Sequence, residues 1–312
     1  AYEEAGGGRR LRIEAAPAEA RGTGWVQYDG AMALQTLMSR LRGQSPADAR
    51  LAERRRLAES YLNPIWAKLE SWLTASRETT NFTYDLTELN LTHLAGFVAG
   101  VSGATLAQAE AMIAELAADK ELAEHVKVQT QNAGPRGELS DLVARYGRRA
   151  GWYALVRLTK PRLVVETGVE KGLGSVVLCA ALRKNAAEGH QGRYLGTDID
   201  TGAGWMLKGP YAEVGKILYG DSIESLKTID GPLDLFINDS DHSSDYERRE
   251  YETIASKLSD RAIVLGDNAH VTPEVYNFAR KTGRQFLYFQ ERPKDHWYPG
   301  AGIGAAFGKE GR

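Results

Sequence analysis

The sequence of 312 residues predicts an α/β fold: a doubly wound, seven-stranded, mainly parallel sheet with an antiparallel C-terminal edge hairpin, preceded by a helical region. Three observations carry that expectation. From Arg162 onward, short β-branched runs alternate with helical stretches, as βαβ units require. Several of these runs are continuously apolar, as strands covered on both faces are. Before about residue 140, apolar residues recur instead at helical spacing.

Taken in order, residues 1–28 are rich in Gly, Ala and charge and read as a loose arm. Residues 29–139 read as a helical region. Leu34, Leu37, Met38 and Leu41 share one helical face, and so do Leu57, Tyr61, Ile65 and Leu69. Thr105 and Gln108 resemble a capping box that opens a helix from Leu106 to about Ala118. Gly134-Pro135 marks a break, and a helix over about Ser140–Leu158 leads into Lys160-Pro161. Residues 140–312 form the α/β part. Strands are expected near Leu163–Thr167, Arg193–Asp198, Lys216–Tyr219, Leu233–Asn238 and Ile263–Gly266. A helix near Pro273–Thr282 precedes two runs, Arg284–Gln290 and Gly302–Phe307, that pair as the edge hairpin.

Composition narrows the function. Hydrophobic residues make up 43% and the net charge is −2, with no dense basic patch, so nucleic acid is not an expected partner. No apolar stretch reaches the ~18 residues of a membrane span, and no signal-peptide core opens the chain. A cytoplasmic location is the expectation. The single cysteine, Cys179, excludes an intrachain disulfide and sits in an apolar run, where it reads as a small buried hydrophobe. Asn81-Phe82-Thr83 and Asn90-Leu91-Thr92 match the glycosylation pattern and read as chance without a secretion signal.

Two acidic clusters stand out. Asn238-Asp239-Ser240-Asp241-His242 and Asp267-Asn268 each follow an apolar strand, about 28 residues apart. Ligands of open parallel sheets bind beyond the carboxyl ends of the strands. Hard oxygen donors at two such tips suit Mg²⁺. The first strand of the α/β part runs into Glu166-Thr167-Gly168-Val169-Glu170-Lys171-Gly172-Leu173-Gly174-Ser175. Glycines at 168, 172 and 174 allow a tight turn and close ligand approach. The following helix points its first amides at that ligand. The spacing differs from the G-x-G-x-x-G of a dinucleotide site.

This acid-x-Gly-x-x-x-Gly-x-Gly pattern resembles motif I of class I S-adenosylmethionine (SAM)-dependent methyltransferases, a Rossmann-like fold, and the likeness spans most of the C-terminal half. It implies that residues 140–312 bind SAM and catalyse methyl transfer. Glu166, Gly168, Gly172, Gly174 and Ser175 would then hold the methionine part of SAM. Asp198, after the second strand, would bind the ribose, whereas Asp200 reads as a surface turn acid. Asp221 and Ser222, after the third, would contact the adenine. The acidic clusters resemble those of metal-dependent O-methyltransferases of the catechol and caffeoyl-coenzyme-A type, and of bacterial natural-product and sugar O-methyltransferases. On that likeness Asp239, also beside the cofactor, would bind Mg²⁺ (or Ca²⁺ or Mn²⁺) together with Asp267 and Asn268. Asp241 would stand behind them or substitute for one. His242 falls where the catechol type has its lysine base, and its ordinary pKa of about 6.5 suits a base near neutrality.

The expected activity is therefore methyl transfer to a hydroxyl of a small molecule (natural product, phenol or sugar). His270, His296 and Trp297 are candidates for the rim of the substrate pocket; Tyr84, Asp85 and Trp152 are candidates for a lid. The helical region would cover the pocket, set substrate choice or form a homodimer interface. The alternatives are a metal-independent SAM enzyme acting on a hydroxyl or amine, a nicotinamide-dependent oxidoreductase, and a non-catalytic binding protein.

Overall fold

The computed structural model describes residues 45–79 and 82–308. The expected arm at 1–28 and the stripe Leu34, Leu37, Met38 and Leu41 lie outside the described residues. The chain divides into two compact units, residues 1–62 and 63–312. Of the first unit, only the opening of helix α1 (Pro46–Ala75) is described. Leu57, Tyr61 and Ile65 share a face of α1 as their spacing predicts, but all three are exposed.

In the second unit, α2 (Glu88–Ser102), α3 (Leu106–Ala117), α4 (Lys120–Asn132) and the single turn α5 (Pro135–Glu138) precede the sheet. The capping box is present: Thr105 and Gln108 each satisfy the other's backbone amide. The helix expected over 140–158 starts only at Arg149, as α6 (Arg149–Thr159). The reason is Gly147, whose φ of 50° turns the chain just before Arg148. A Cβ there would meet Glu291 Oε1 at 3.2 Å.

The sheet contains β1 (Leu163–Thr167), β2 (Arg193–Asp198), β3 (Gly215–Tyr219), β4 (Leu233–Asn238), β5 (Leu258–Gly266), β6 (Gln285–Gln290) and β7 (Gly302–Phe307) in the order 3-2-1-4-5-7-6. β1 to β5 are parallel; β7 runs antiparallel to both β5 and the edge strand β6. The intervening helices are α7 (Leu173–Ala187), α8 (Ser222–Thr228), α9 (Ser244–Ile254) and α10 (Glu274–Lys281).

Side-chain alternation along each strand explains the two layers. Val164, Leu235, Ile237, Ile263 and Leu265 face one core with α2, α3, α6 and α7. Leu163, Val165, Phe236 and Val264 face a second core with α8, α9 and α10. Each fully buried aliphatic or aromatic side chain contributes ~1.5–3 kcal/mol. The helices from α2 onward thus share one core with the sheet. Among the described residues, no single helix is long and apolar enough to cross a membrane.

Strand order reverses between β1 and β4, where a crevice opens at the carboxyl ends. There the Gly168 backbone lies against Asp239: a Cβ on Gly168 would stand 2.0 Å from the Asp239 carbonyl oxygen. Gly168 also has a φ of 77°, which a side chain disfavours by ~1–2 kcal/mol. Gly168→Ala is expected to lower folding stability by at least ~2 kcal/mol in chemical denaturation. A loss below ~0.5 kcal/mol would show that the two strand tips are not held this close.

Candidate functional site

A cavity of about 630 Å³ occupies this crevice. Gly168, Val169 and Glu170 wall it from the loop after β1, Asp198 from β2, Asp221 and Ser222 from the turn after β3, and Asp239 to His242 from beyond β4. Asn268 closes the β5 side. The cavity therefore brings the glycine loop and both acidic clusters onto a single wall system.

Each expected binding residue has a definite place. Asp198 accepts from the amides of Val169 (3.1 Å) and Glu170 (2.9 Å) through Oδ2, and from Asp200 N (2.9 Å) through Oδ1. It shapes the loop while facing the cavity, and a carboxylate retains a further lone-pair site for a ligand hydroxyl. Asp221 caps α8 through Glu224 N at 3.0 Å and accepts from Tyr246 Oη at 3.0 Å. Asp200 is a turn acid, paired with Arg136 at 2.8 Å.

Glu166 touches the cavity, but its carboxylate is turned inward. Its Oε2 takes the hydroxyls of Tyr194 and Ser175. Burial pushes it up to about 7, against the lowering effect of the Tyr194 bond and Arg149. Gly172, Gly174 and Ser175 stand behind the loop, off the cavity wall. A Cβ at 174 would strike Glu166 Oε1 at 2.2 Å, and one at 172 would press on Gly204 at 3.1 Å. Their smallness lets Gly172 approach the Gly204 backbone and Gly174 approach Glu166.

The acidic clusters converge. Ligand atoms of Asp239, His242 and Asp267 lie within 4.8 Å of one another. Asn268, in the left-handed region at φ 56°, turns its amide to 3.0 Å from His242 Nε2. Asparagine tolerates that backbone conformation better than most residues. Burial, and then the neighbouring Asp267 charge, push the Asp239 carboxyl well above the usual carboxylate range. Burial is the largest influence on Asp267 and would raise it too, but the Arg148 charge together with the hydrogen bonds from Arg148 and Asp239 holds Asp267 low. The two carboxylates lie close enough together for a hard divalent cation, with His242 and Asn268 beside them. Asp241 reaches the wall but accepts from Ser243 N (2.8 Å) and stands outside this group.

His242 Nε2 faces Asp239 at 3.7 Å, while Nδ1 lies 3.4 Å from Glu247 Oε1. The Glu247 hydrogen bond raises the imidazole above its ordinary value, against burial. The pattern is a base oriented by a carboxylate.

Four further side chains build the site without having been expected from the sequence. Arg148 donates through Nε and Nη2 to the two oxygens of Asp267. Buried Glu291 accepts from Arg148 N (2.8 Å), Arg148 Nη1 (3.4 Å) and Tyr84 Oη (2.8 Å). Glu247 and Glu250 sit on the inward face of α9 with Tyr251 and Ile254. Two acids at core positions of an amphipathic helix were the available signal. Glu250 accepts from Thr167 (3.1 Å), Ser240 (2.9 Å), Ser222 and Asn238, so one carboxylate ties the tips of β1 and β4 to the turn after β3. Burial pushes it up to about 7. Arg148 and Glu291 left no local signal, because their partners are distant in sequence.

The candidate rim and lid residues lie off this cavity wall. His296 and Trp297 pack with Trp72 and Phe82 in an aromatic cluster that Tyr84 joins through His296, and Trp152 is buried beneath Arg148 and Arg149. Asp85 accepts Lys294 N at 2.7 Å through its backbone.

Residues 165–269 match the family model described as a methyltransferase domain. No curated protein matches the chain. Solved structures similar to it include the O-methyltransferase TomG of Streptomyces achromogenes, involved in tomaymycin synthesis and solved with SAM. It is 18% identical, with 61% of this chain and 90% of that chain covered and a TM-score of 0.46. The O-methyltransferase of Bacillus cereus, solved with S-adenosylhomocysteine (SAH), is 15% identical, covering 61% and 91%, at a TM-score of 0.45. The Podospora anserina methyltransferase PaMTH1, also SAH-bound, is 16% identical, covering 74% and 100%, at 0.43.

Two expectations concern the unliganded protein. Glu250 keeps its proton in the fold up to about 7, whereas the unfolded group loses it near 4.5. Between those values the fold binds more protons, so rising pH removes stability. Glu250→Gln is expected to flatten that part of the stability-versus-pH curve in denaturation series; an unchanged slope would contradict the assignment. Glu247→Gln is expected to lower the His242 pKa seen by imidazole NMR. An unmoved titration would remove Glu247 from its role.

Proposed function

We propose that this chain, which carries a class I methyltransferase domain, transfers a methyl group from SAM to a hydroxyl of a small molecule, with a divalent cation held by Asp239, Asp267 and Asn268. The observation that carries this reading is the shared cavity: Asp239, His242 and Asn268 line the same space as Gly168 and Asp198. A methyl donor laid along the glycine loop would end beside the acidic group.

Asp198 would accept the ribose hydroxyls, and Asp221 and Ser222 would contact the adenine; all three line the cavity, which supports the reading. Mg²⁺ suits the donor set, and when bound it lowers the pKa of a hydroxyl beside it. The remaining steps belong to the chain. His242 Nε2 takes the hydroxyl proton, and Glu247 at Nδ1 holds the ring in position and offsets the charge that arrives. The freed oxygen bonds to the methyl carbon as the carbon–sulfur bond breaks, and sulfur keeps the electron pair. The products are a methyl ether and SAH, and the proton leaves from His242 to solvent. No covalent enzyme intermediate is needed, so alignment supplies much of the acceleration. A phenol, sugar or other natural-product hydroxyl is the proposed acceptor class.

One observation favours a second reading, a metal-independent enzyme: Arg148 already engages both oxygens of Asp267. Turnover decides between them. The first reading expects EDTA to abolish methyl transfer and Mg²⁺ to restore it; transfer that persists in EDTA supports the second. Asp267→Asn is expected to cut turnover at least 100-fold while calorimetric SAM affinity stays within about twofold. Equal loss of both would place Asp267 in SAM binding instead. Asp198→Ala is expected to weaken SAM binding at least tenfold; unchanged affinity would remove it from the cofactor site.

A further inference from the structure

Arg148 is a buried cation at the centre of the acidic group, and its geometry points to a role beyond packing. The residue is 9% exposed and borders the cavity. The two donors Nε and Nη2 take one Asp267 oxygen each, in the two-pronged fit that a guanidinium makes with a carboxylate. The third arm, Nη1, already reaches a second buried carboxylate, Glu291, at 3.4 Å. Glu291 also holds the Arg148 backbone amide at 2.8 Å, which fixes the root of the side chain beside it. The ring of Trp152 lies 5.8 Å from the guanidinium carbon and supports it on another side. Arg148 thus has two carboxylates within reach, and only one of them belongs to the donor group of Asp239, His242 and Asp267.

We propose that Arg148 is an internal counter-ion that competes with the divalent cation for Asp267 and swings toward Glu291 when the cation loads. This rests on the cation-assisted reading above. A cation at the donor group needs an electron pair of Asp267 that points into the cavity, and the arginine fork holds both oxygens of that carboxylate. Two positive centres on one carboxylate repel each other at short range in a low-dielectric site. Glu291 supplies the alternative anchor, so the guanidinium never loses a partner, and an unpaired buried charge is avoided. Arg148 therefore acts as a positioning residue. It holds Asp267 in place before loading, and it weakens cation affinity so that loading depends on its displacement.

The test is direct titration of the folded protein with Mn²⁺, read by the electron paramagnetic resonance of free ion and by calorimetry, with no turnover involved. Arg148→Met is expected to bind Mn²⁺ at least tenfold more tightly than the wild type. Arg148→Lys keeps the charge but loses the two-pronged grip; it is expected to bind more tightly than the wild type by a smaller factor, and it serves alone if the methionine variant does not fold. Equal or weaker Mn²⁺ binding in a folded variant, against measurable binding in the wild type, overturns the competition and leaves the cation reading intact. Absence of Mn²⁺ binding in the wild type and in every folded variant overturns both. Binding in the variants that disappears on adding Asp239→Asn supports both.

Discussion

The contact of Gly168 with the Asp239 backbone is the constraint on which the site depends. Asp239 N donates to Thr167 O at 2.9 Å, and the two strand tips run so close that no side chain fits between them. A glycine at 168 is required for two reasons at once, the positive φ and the missing Cβ. Because the tips touch, the loop that walls the cavity and the first acidic cluster become neighbours. β5, paired with β4, then delivers Asp267 and Asn268 to the same place. Sheet register therefore sets the chemistry: a slip of one residue would turn these side chains to the opposite face.

Burial governs the electrostatics that follow. Asp239, Asp267 and Glu291 bring three carboxylates close together, and Arg148 contacts two of them. Removing one partner from such a buried pair typically costs ~3–5 kcal/mol. Asp239 is held above the usual carboxylate range by burial and then by the neighbouring Asp267 charge, with the Arg148 charge acting against both. The same burial makes Glu250 useful as a hub, since its four donors include the tips of β1 and β4.

Much of this was legible in the sequence, and the parts that were not have physical reasons. The five parallel strands were each expected, several of them as continuous apolar runs, and β1, β2 and β4 fall at the residues expected. β5 begins five residues earlier than its apolar run, at Leu258, because register with Leu233 extends pairing through polar positions. The helix before the sheet is shorter than its apolar spacing suggests, because Gly147 turns the chain to aim Arg148 at Glu291. Among the loop residues, Gly168 and Asp198 face the cavity, whereas Gly172, Gly174 and Ser175 pack behind it. A spacing pattern alone does not say which glycines border the cavity and which lie behind it. Arg148 and Glu291 act across 119 and 143 residues of sequence, and such pairs emerge only when the fold closes.

The most direct measurement is an anomalous-scattering map from crystals grown with SAH and Mn²⁺. The account predicts a manganese peak among the side chains of Asp239, Asp267 and Asn268, next to the sulfur of an SAH molecule lying along the Gly168 loop, with Arg148 moved onto Glu291. SAH in the cavity with no such peak, and with Arg148 still gripping Asp267, would contradict it.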